Sequence, residues 1–467
     1  MSQALAAAPA PPGRTAGRLT LAARVSLGLT LAAEAIVLRA ALTSQPRHIF
    51  WLYCASAPLF ALALFLLARS RLPDRRAVQL LLASAALLQF LAVTTPPRTS
   101  DDDFRYLWDA KVQLAGIDPY RYVPLSHELL PLRDGYLFPP DPCPHSIYNG
   151  CTRINRPSVP TIYPPVAEGA FAVIRVASFG GHGGELPIQL AAAFGCLAIA
   201  VLLIRRARAR GTPLWHAAAW AWCPMVVIEY GNNGHIDWLA VLFAVLTLHR
   251  AAAGRGWSTG LLVGAAIGVK LYPAVLLPSL VRRRPVAVLV GAFGLVAASY
   301  LPHVLAVGAK VIGFLPGYLK EEQYSTGNRL ALLGWVVPHS KDTLVGAALL
   351  AVLAAVVLWR ANPEAPERSA VVLTGVAFLV ATPQYGWYSG LLVALVAMSG
   401  SMEWLAVALV PTAGYLLSTD YGYGKHLLAL RLLYVSALLV AAIGAALRIH
   451  LVGSLSRPRT AEGALGG

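Results

Sequence analysis

The sequence predicts an all-α polytopic membrane protein. Of its 467 residues, 57% are apolar and only 13% are charged, whereas soluble domains carry about 25% charged residues. Apolar runs recur along the whole chain, for example at 51–68, 186–204 and 427–447, and runs of about 18 residues or more are typical of membrane-spanning helices. These runs are rich in Leu, Ala and Val and lack the alternating pattern of a membrane barrel strand.

The positive charge is placed in short loops between the apolar runs. The net charge is +16, and arginines cluster at 68–76, 205–211 and 281–285. Short basic loops mark the cytoplasmic side of a membrane protein, and anionic lipid headgroups would attract them. We therefore interpret the charge as a topology signal and expect the lipid bilayer, not nucleic acid, as its partner.

These loops set the order of the elements in the first half. An Ala/Pro-rich stretch at 1–18 is predicted to be a disordered cytoplasmic tail, followed by a single integral membrane domain over 19–450 and a second cytoplasmic tail over 451–467. Spans near 21–42, 49–69 and 77–95 leave residue 96 on the outer side. The chain then stays outside until about residue 185, so 96–185 is predicted to be a long extracytoplasmic loop. Its apolar stretch at 166–179 suits a short interfacial helix.

The second half is predicted to alternate across the membrane with one interruption. Spans are expected at 186–204, 214–230 and 238–250. Residues 257–281 begin and end near arginines, so they cannot form one crossing. We expect a break at "GVKLYP" (268–273), because Pro273 lacks a backbone donor and disfavours helix before it, with Lys270 near the outer side. In total we expect about 12–14 membrane helices and both termini in the cytoplasm.

Two cysteines lie in the long loop. Cys143 and Cys151 stand in "CPHSIYNGC", and thiols outside the membrane meet oxidising conditions, so we predict a disulfide between them. A zinc site would need more ligands than these two and His145.

The first residues of the long loop are unusually acidic. "TSDDDFRYLWDAKVQLAG" (99–116) is typical of a helix start, with Ser100 or Asp101 as N-cap and Gly116 after its end. Capping accounts for one or two of the acids, but not for Arg105 and Asp109 one turn apart on the same side. A carboxylate held near a basic partner is what a general base requires. We therefore predict that Asp101 or Asp102 is catalytic and that Asp103 is solvated.

Other polar residues are expected to converge on the same outer face. They are His235 and Asp237 in the connection "EYGNNGHIDW", and Lys270 and Tyr272 in the broken helix. Loops exposed to water are polar in any case. A lysine inside the apolar run "AAIGVKLYPAVLL", however, has a large free-energy cost in the membrane unless it is paired or lines a cavity. Aromatic residues such as Tyr163 are dense beside the acids. They fit either an interfacial belt or rings that stack on sugars.

Four segments together resemble a known family. They are "SDDDFRYLWDAKVQLAGIDPYRY", "NRPSVPTIYPP", "NGHID" and "KLYPAVLLP". The chain resembles polytopic GT-C-type glycosyltransferases over residues 77–390, specifically the glycosyltransferase 87-like group that includes polyprenyl-phosphate-mannose-dependent mannosyltransferases of actinobacteria. The resemblance implies a GT-C-like fold in which a long outer loop carries short interfacial helices.

The first segment is the most specific. The family pattern reads Ser-Asp-Asp, an apolar residue, an aromatic, and then Arg-Tyr-x-Trp-Asp-Gly-Arg. The matching positions are Ser100, Asp101, Asp102, Asp103, Phe104, Arg105, Tyr106, Trp108, Asp109, Ala110 and Lys111. Asp103 replaces the apolar residue and Ala110 the glycine, which leaves open which acid faces the cavity. The resemblance implies that an aspartate here is the catalytic base, with Asp102 the first choice and Asp101 the second.

The resemblance also implies the reaction. A sugar, with mannose favoured, would pass with inversion from a polyprenyl-phosphate donor to a cell-envelope lipid or polysaccharide on the outer face. Arabinose or glucose on the same carrier would need similar residues. A leaving monophosphate can be stabilised by Lys or Arg, for which the candidates are Lys270 and Arg105, with His235 as a third. We expect no cofactor and no metal, because nothing in the spacing of the acids and His235 demands one.

The predicted substrate-binding residues are Arg105, Asp109, Tyr163, His235, Asp237, Lys270 and Tyr272. The alternative function is a transporter or flippase of a glycolipid or polyprenyl-linked sugar. A transporter should place ionisable residues near the bilayer midplane of several helices. Here the mid-span charges are few, namely Arg24, Glu34 and Arg431, which favours an enzyme.

Overall fold

The computed structural model describes residues 14–140, 148, 150–178, 184–321, 329–421 and 427–455. This part of the chain contains helices and no β-strand, which confirms the predicted all-α class. The helices of the first half are α1 Arg14–Thr43, α2 Pro46–Arg69, α3 Asp74–Val93, α4 Asp102–Leu114, α5 Pro165–Ala177, α6 Leu186–Arg210, α7 Ala218–Ala221 and α8 Asp237–Ala252. Those of the second half are α9 Gly256–Val269, α10 Leu277–Leu280, α11 Pro285–Val307, α12 Leu315–Glu321, α13 His339–Arg360, α14 Pro366–Ala381, α15 Ser389–Ser399, α16 Leu405–Tyr421 and α17 Leu427–Leu455.

Seven helices in the described residues are long and apolar enough to cross a membrane. They are α1, α2, α3, α6, α11 (continued to Tyr318), α13 and α17. Shorter apolar helices, among them α9, and one bent pair accompany them. The predicted number of about 12–14 counted such short and broken segments as well, so it exceeds the number of complete spans. The chain is a multi-pass membrane protein.

The basic loops gather at one end of the helix bundle. Gln189, at the start of α6, donates to the carbonyl of Thr95 just after α3 (2.9 Å). The arginine-rich start of α3 and end of α6 therefore both lie at the opposite end, which we call the basic end. There Arg206 pairs with Glu367 at 2.7 Å. In α1, Arg24 donates to the carbonyl of Ser70 (3.2 Å), so it lies near this end and not at mid-span.

The predicted span 214–230 is wrong as a continuous helix. The chain forms a 3-10 turn at Leu214–Ala217, then α7, and then a π-helical segment at Val226–Asn232. Pro224 between the last two lacks a backbone donor and interrupts the α-helical pattern. After the π-helical segment the chain bends by 115° into α8, and Gly234 makes this turn with a positive φ of 69°.

The predicted break near Lys270 is confirmed. Helix α9 ends at Val269, Lys270 has an extended backbone (φ −148°, ψ 146°), and a 3-10 turn at Tyr272–Leu276 leads into α10. The 14 residues of α9 measure about 21 Å, which is shorter than the hydrocarbon core of a bilayer. Lys270 therefore lies at the end of a helix that stops short of a full crossing.

Helix α9 is held in place by close packing against α11. A Cβ on Gly260 would lie 2.5 Å from the carbonyl oxygen of Val288, and one on Gly264 would lie 2.6 Å from that of Ala292. Small residues four apart let two membrane helices approach at backbone distance. This contact fixes the height and rotation of Lys270, since Lys270 directly follows α9.

Gly264→Leu is expected to destabilise the protein by about 1–3 kcal/mol, because the side chain would overpack a backbone contact. Thermal unfolding of the purified protein in detergent measures this as a lower melting temperature. Gly294→Leu is the matched control: it lies on α11 with nothing within 4 Å of an added Cβ, and should unfold as the wild type does. Equal melting temperatures for both variants would contradict this account of α9.

Several predictions fall on residues outside the described ranges. Residues 1–13 and 456–467, which hold most of the two predicted tails, are among them. So is Cys143, and its predicted disulfide with Cys151 stays a prediction.

Candidate active site

A single cavity of about 890 Å³ brings the predicted residues together at the end of the bundle away from the basic loops. Six of them contribute to its wall, namely Asp101, Asp102, Arg105, Tyr163, Lys270 and Tyr272. They come from α4, the end of the long loop and the break after α9. The acids Asp101 and Asp102 and Lys270 thus border one chamber, as expected from the sequence, whereas His235 and Asp237, which were expected to border it too, do not line it.

The start of α4 places two carboxylates on the cavity wall. Asp101 occupies the N-cap position but makes no capping bond with its side chain. The hydroxyl of Ser100 accepts the N–H of Asp102 (3.3 Å), so both aspartate side chains stay available. Asn155 donates to Asp102 Oδ1 (2.6 Å) and to Asp101 Oδ1 (3.0 Å), and the hydroxyl of Tyr148 donates to Asp101. Burial raises the pKa of Asp101, and these hydrogen bonds oppose the shift.

The two acids differ in what their free oxygens face. Asp101 is bonded through both oxygens, to Tyr148 and Asn155. Asp102 uses only Oδ1 in this way, and its Oδ2 lies 3.6 Å from Nδ1 of His235. Asp102 therefore has the carboxylate oxygen better placed to receive a proton from a bound molecule.

The prediction that Asp103 is solvated is wrong. Its side chain is fully buried, and neither oxygen has a hydrogen-bond partner in the described residues. One residue further along a helix turns the side chain by about 100°, away from the cavity. Burial, followed by repulsion from Glu185, raises its pKa well above the ordinary value, which favours a neutral carboxyl.

Arg105 is held from behind so that one edge of its guanidinium stays available. Its Nε lies 3.0 Å from both oxygens of Asp109, and its Nη1 donates to the carbonyl of Val159 (3.1 Å). Its Nη2 has no hydrogen-bond partner among the described residues. Asp109 itself is buried and does not line the cavity, so it orients Arg105 in this structure.

A second acid supports this pair. Glu168 on α5 is fully buried and accepts from the hydroxyl of Thr161 (2.7 Å) and from Nε2 of Gln113 (2.8 Å). Burial, and then the charge of Asp109, raises its pKa well above the ordinary value. Burial raises the pKa of Asp109 as well, but the charge of Arg105 opposes that shift, so of the two acids Glu168 is the one favoured in its neutral form.

Lys270 enters the cavity between an acid and two aromatic rings. Its Nζ lies 3.5 Å from Oδ2 of Asp237, 4.9 Å from the ring centre of Tyr163 and 5.9 Å from that of Tyr388. Asp237 is fully buried. The ammonium is therefore paired from behind and held by ring faces, while its side chain, 14% exposed, contributes to the wall.

His235 lies behind the wall. Its ring is fully buried, stacks on Trp387 at 3.9 Å between ring centres, and has Glu229 Oε2 3.5 Å from its Nε2. His235, Asp109 and Asp237 remain predicted substrate-binding residues, but in this structure each lies behind a residue of the wall.

The sequence prediction missed part of the wall. Asn155 and Tyr148, which hold the acids, were not singled out. Neither were Trp387 and Tyr388, although the aromatic density of "TPQYGWYS" (382–389) was a signal. Arg156 and Arg329 add positive charge to the same cavity. Arg156 pairs with Glu321 at 2.9 Å.

The other part of the cavity is apolar. It is lined by Leu271 and Val275 from the break after α9, by Ala377 and Phe378 from α14, and by Leu315 from α12. The cavity thus has a charged region next to an apolar one.

In the described residues no group of three or more His, Cys, Asp and Glu side chains is arranged to hold a metal ion. That the reaction needs no metal stays a prediction from the sequence.

Comparisons with known proteins agree with these features. Residues 162–383 match the model of glycosyltransferase family 87. A polyprenol-phosphate-mannose-dependent alpha-(1-2)-phosphatidylinositol pentamannoside mannosyltransferase of Mycolicibacterium smegmatis is 30% identical over 49% of this chain and 58% of its own. The protein of the same name from Mycobacterium tuberculosis is 32% identical over 25% of this chain and 27% of its own. The chain thus spans little more than half the length of the first relative and about a quarter of the second.

No solved structure matches the chain significantly. The family match covers Tyr163, His235 and Lys270, and it leaves both the acidic segment at 100–111 and Trp387 outside. That segment enters the site through its geometry alone. The comparisons confirm the resemblance to glycosyltransferase family 87 that was drawn from the motifs, over a little less than half of the chain.

Proposed function

We propose that this protein is an integral membrane glycosyltransferase that moves a mannosyl group from a polyprenyl-phosphate donor to a lipid or glycan acceptor of the cell envelope. One observation carries the proposal: the carboxylates of Asp101 and Asp102 and the cations of Lys270 and Arg105 line one cavity. A base and a phosphate-binding pair are what sugar transfer from a phosphate leaving group requires.

In this mechanism Asp102 is the base and the donor phosphate is the leaving group. Oδ2 of Asp102 takes the proton of an acceptor hydroxyl, and the acceptor oxygen forms a bond to the anomeric carbon. The bond between that carbon and the phosphate oxygen breaks on the opposite side, and the phosphate leaves with the electron pair. A single displacement of this kind inverts the anomeric configuration.

The positive groups would stabilise the charge that develops on the phosphate. Nη2 of Arg105 is held in place by the bonds that Nε and Nη1 make. Lys270 is oriented by Asp237. Charged donors that are held in position before the reaction stabilise a leaving oxyanion most effectively. Arg105 and Lys270 therefore take the role that a divalent cation has for a nucleotide-sugar donor.

The apolar part of the cavity favours a donor on a lipid carrier. Leu271, Val275 and Phe378 line it beside the charged part. A polyprenyl chain could lie there while its phosphate reaches Lys270. The mycobacterial relatives are named as polyprenol-phosphate-mannose-dependent, which supports the same donor and favours mannose here. Their named acceptor, a phosphatidylinositol mannoside, supports a membrane glycolipid as acceptor.

The charge distribution supports an outward-facing site. The arginine-rich loops lie at the basic end, and the cavity lies at the other. By the positive-inside rule the basic end faces the cytoplasm. The active site would then open on the extracytoplasmic side, with both termini inside.

Transfer by the purified protein in lipid nanodiscs tests the proposal. With a radiolabelled polyprenyl-phosphate mannose we expect label in a new glycolipid or glycan, and the one-bond C1–H1 coupling of the product should show the anomer opposite to that of the donor. Transfer of label from a soluble nucleotide sugar would contradict the proposal. So would movement of the labelled donor across the bilayer without formation of a new glycosidic bond. The second result is what a flippase would give.

The same assay gives a prediction about metal. Because Lys270 and Arg105 can stabilise the leaving phosphate, transfer should proceed at an undiminished rate after chelation with EDTA. A rate that falls with EDTA and returns with Mg²⁺ or Mn²⁺ would show that these two cations do not suffice.

A further inference from the structure

Glu229 is a fully buried acid that the mechanism above does not use. It lies on the π-helical segment Val226–Asn232 and has no exposed surface. Its Oε2 accepts from Nδ2 of Asn233 (3.1 Å). Its Oε1 has no partner at hydrogen-bond distance among the described residues, and the hydroxyl of Thr412 faces the carboxylate. Burying a carboxylate without a full set of partners is costly, so its retention calls for an explanation.

His235 lies between this acid and the predicted base. Its Nε2 is 3.5 Å from Oε2 of Glu229, and its Nδ1 is 3.6 Å from Oδ2 of Asp102. The two ring nitrogens thus face two different carboxylates. Neither contact is a hydrogen bond in this structure. Catalytic hydrogen bonds are often long until a substrate binds and then tighten, and if each carboxylate approaches the ring by about half an ångström, both contacts reach hydrogen-bond length.

The ring of His235 is held in this orientation by stacking. Trp387 lies 3.9 Å from it at an interplanar angle of 28°, Tyr385 stacks on Trp387 at 4.7 Å, and the guanidinium of Arg329 lies 5.1 Å from the Tyr385 ring. Gly386 allows the loop to approach, since a Cβ there would lie 2.1 Å from Oε1 of Glu229. The sequence therefore builds a wall that leaves the imidazole little freedom to rotate.

We propose that His235 and Glu229 form a buried proton relay behind Asp102; its use in turnover rests on the proposed function, in which Asp102 is the base. At rest His235 carries its proton on Nε2 and Glu229 is ionised. After Asp102 has taken the acceptor proton, Nδ1 of His235 takes it from Asp102 as the Nε2 proton passes to Glu229. Asp102 is then a carboxylate again, and Glu229 is neutral.

The direction of this transfer follows from burial. At rest the carboxylate of Glu229 is stabilised by the amide of Asn233 (3.1 Å) and by Nε2–H of His235 (3.5 Å). When it takes the proton, a charge is removed from a site without solvent, which is favourable. Asp102, 15% exposed at the cavity, bears its charge at lower cost. When the product has left, the proton returns along the same path to the cavity. The charged groups that face the relay are Asp102 from α4, Asp237 from α8 and Lys270 from the break after α9. The titratable hydroxyls of Tyr53 from α2 and Tyr230 from the π-helical segment also face Glu229.

An infrared pH titration tests the relay without relying on transfer. The carboxylic-acid C=O band of Glu229 is assigned by its loss in Glu229→Gln. We expect Asp102→Asn to move the titration midpoint of this band, and His235→Gln to abolish the coupling between the two acids. A Glu229 band that titrates identically in wild type, Asp102→Asn and His235→Gln would overturn the relay.

Kinetics test its use in turnover. Glu229→Gln keeps the shape and an oxygen for Asn233 but cannot take a proton. We expect its kcat to fall about tenfold or more and its pH profile to lose one ionisation, with the KM for the donor unchanged. Glu34→Gln is the matched control, since Glu34 is equally buried and lies on α1, and should keep the wild-type profile. Glu229→Gln with wild-type kcat and pH profile would overturn the proposal.

The two arms separate the relay from the function. If the wild type transfers no sugar but the infrared midpoints are coupled, the proposed function fails and the relay stands. If transfer depends on Asp102 while the Glu229 band is uncoupled, the function stands and the relay fails.

Discussion

Asp102→Asn is expected to lower kcat for sugar transfer by about 10²–10⁴-fold, the usual contribution of a general base. An asparagine can still accept the hydrogen bond of Asn155 through its oxygen, but it cannot take the acceptor proton. Because the shape and this bond are kept, the protein should fold and unfold as the wild type does. Initial rates with labelled polyprenyl-phosphate mannose, together with melting temperatures, measure both effects.

Asp101→Asn is the matched control for the choice between the two acids. Asp101 is bonded through both oxygens to Tyr148 and Asn155, so we expect a smaller loss than for Asp102→Asn. A larger loss at Asp101 would exchange their roles. Wild-type rates in both variants would show that neither aspartate is the catalytic base.

Lys270→Ala is expected to have the second largest effect. It removes a charged donor from the leaving phosphate, for which a loss of about 10²–10³-fold in kcat is usual. It also leaves Asp237 buried without its partner, which costs about 3–5 kcal/mol of stability. Lys270→Arg keeps the charge, so it should use the donor better than the alanine variant. Rates and donor dependence of the two variants measure the difference.

The double variant Lys270→Ala with Asp237→Asn separates catalysis from stability. It removes both members of the ion pair at 3.5 Å, so the unfolding temperature should recover while transfer stays low. Recovery of transfer in the double variant, or equal rates for lysine, arginine and alanine at 270, would assign Lys270 to structure alone.

The sequence predicted the positions where charge and hydrophobicity conflict. Lys270 stood in an apolar run close to Pro273. The break followed from the proline, which disfavours helix before it, and the place of Lys270 at the cavity followed from the cost of a charge in lipid. The acids and Arg105 were found because helical spacing puts residues three and four apart on one side. These rules are local, and the structure follows them.

What the sequence did not predict depends on contacts between distant segments. Asp103 was expected in solvent because it is an acid in an outer loop, yet the helix turns it into the protein. Glu229 is part of "EYGNNGHIDW" and was predicted to lie at the end of a membrane span. It comes close to His235 only because of the π-helical turn and the 115° bend that follows it. Trp387, 152 positions after His235 by number, stacks on it with no local pattern to indicate the pair.

The most direct test of the central claim is a cryo-electron microscopy map with a non-reactive polyprenyl-phosphate sugar bound. We predict the phosphate within hydrogen-bond distance of Lys270 and Arg105, the sugar facing Asp102, and the prenyl chain along Leu271 and Phe378. A phosphate bound outside this cavity, or a sugar separated from Asp102 by the wall, would contradict the account.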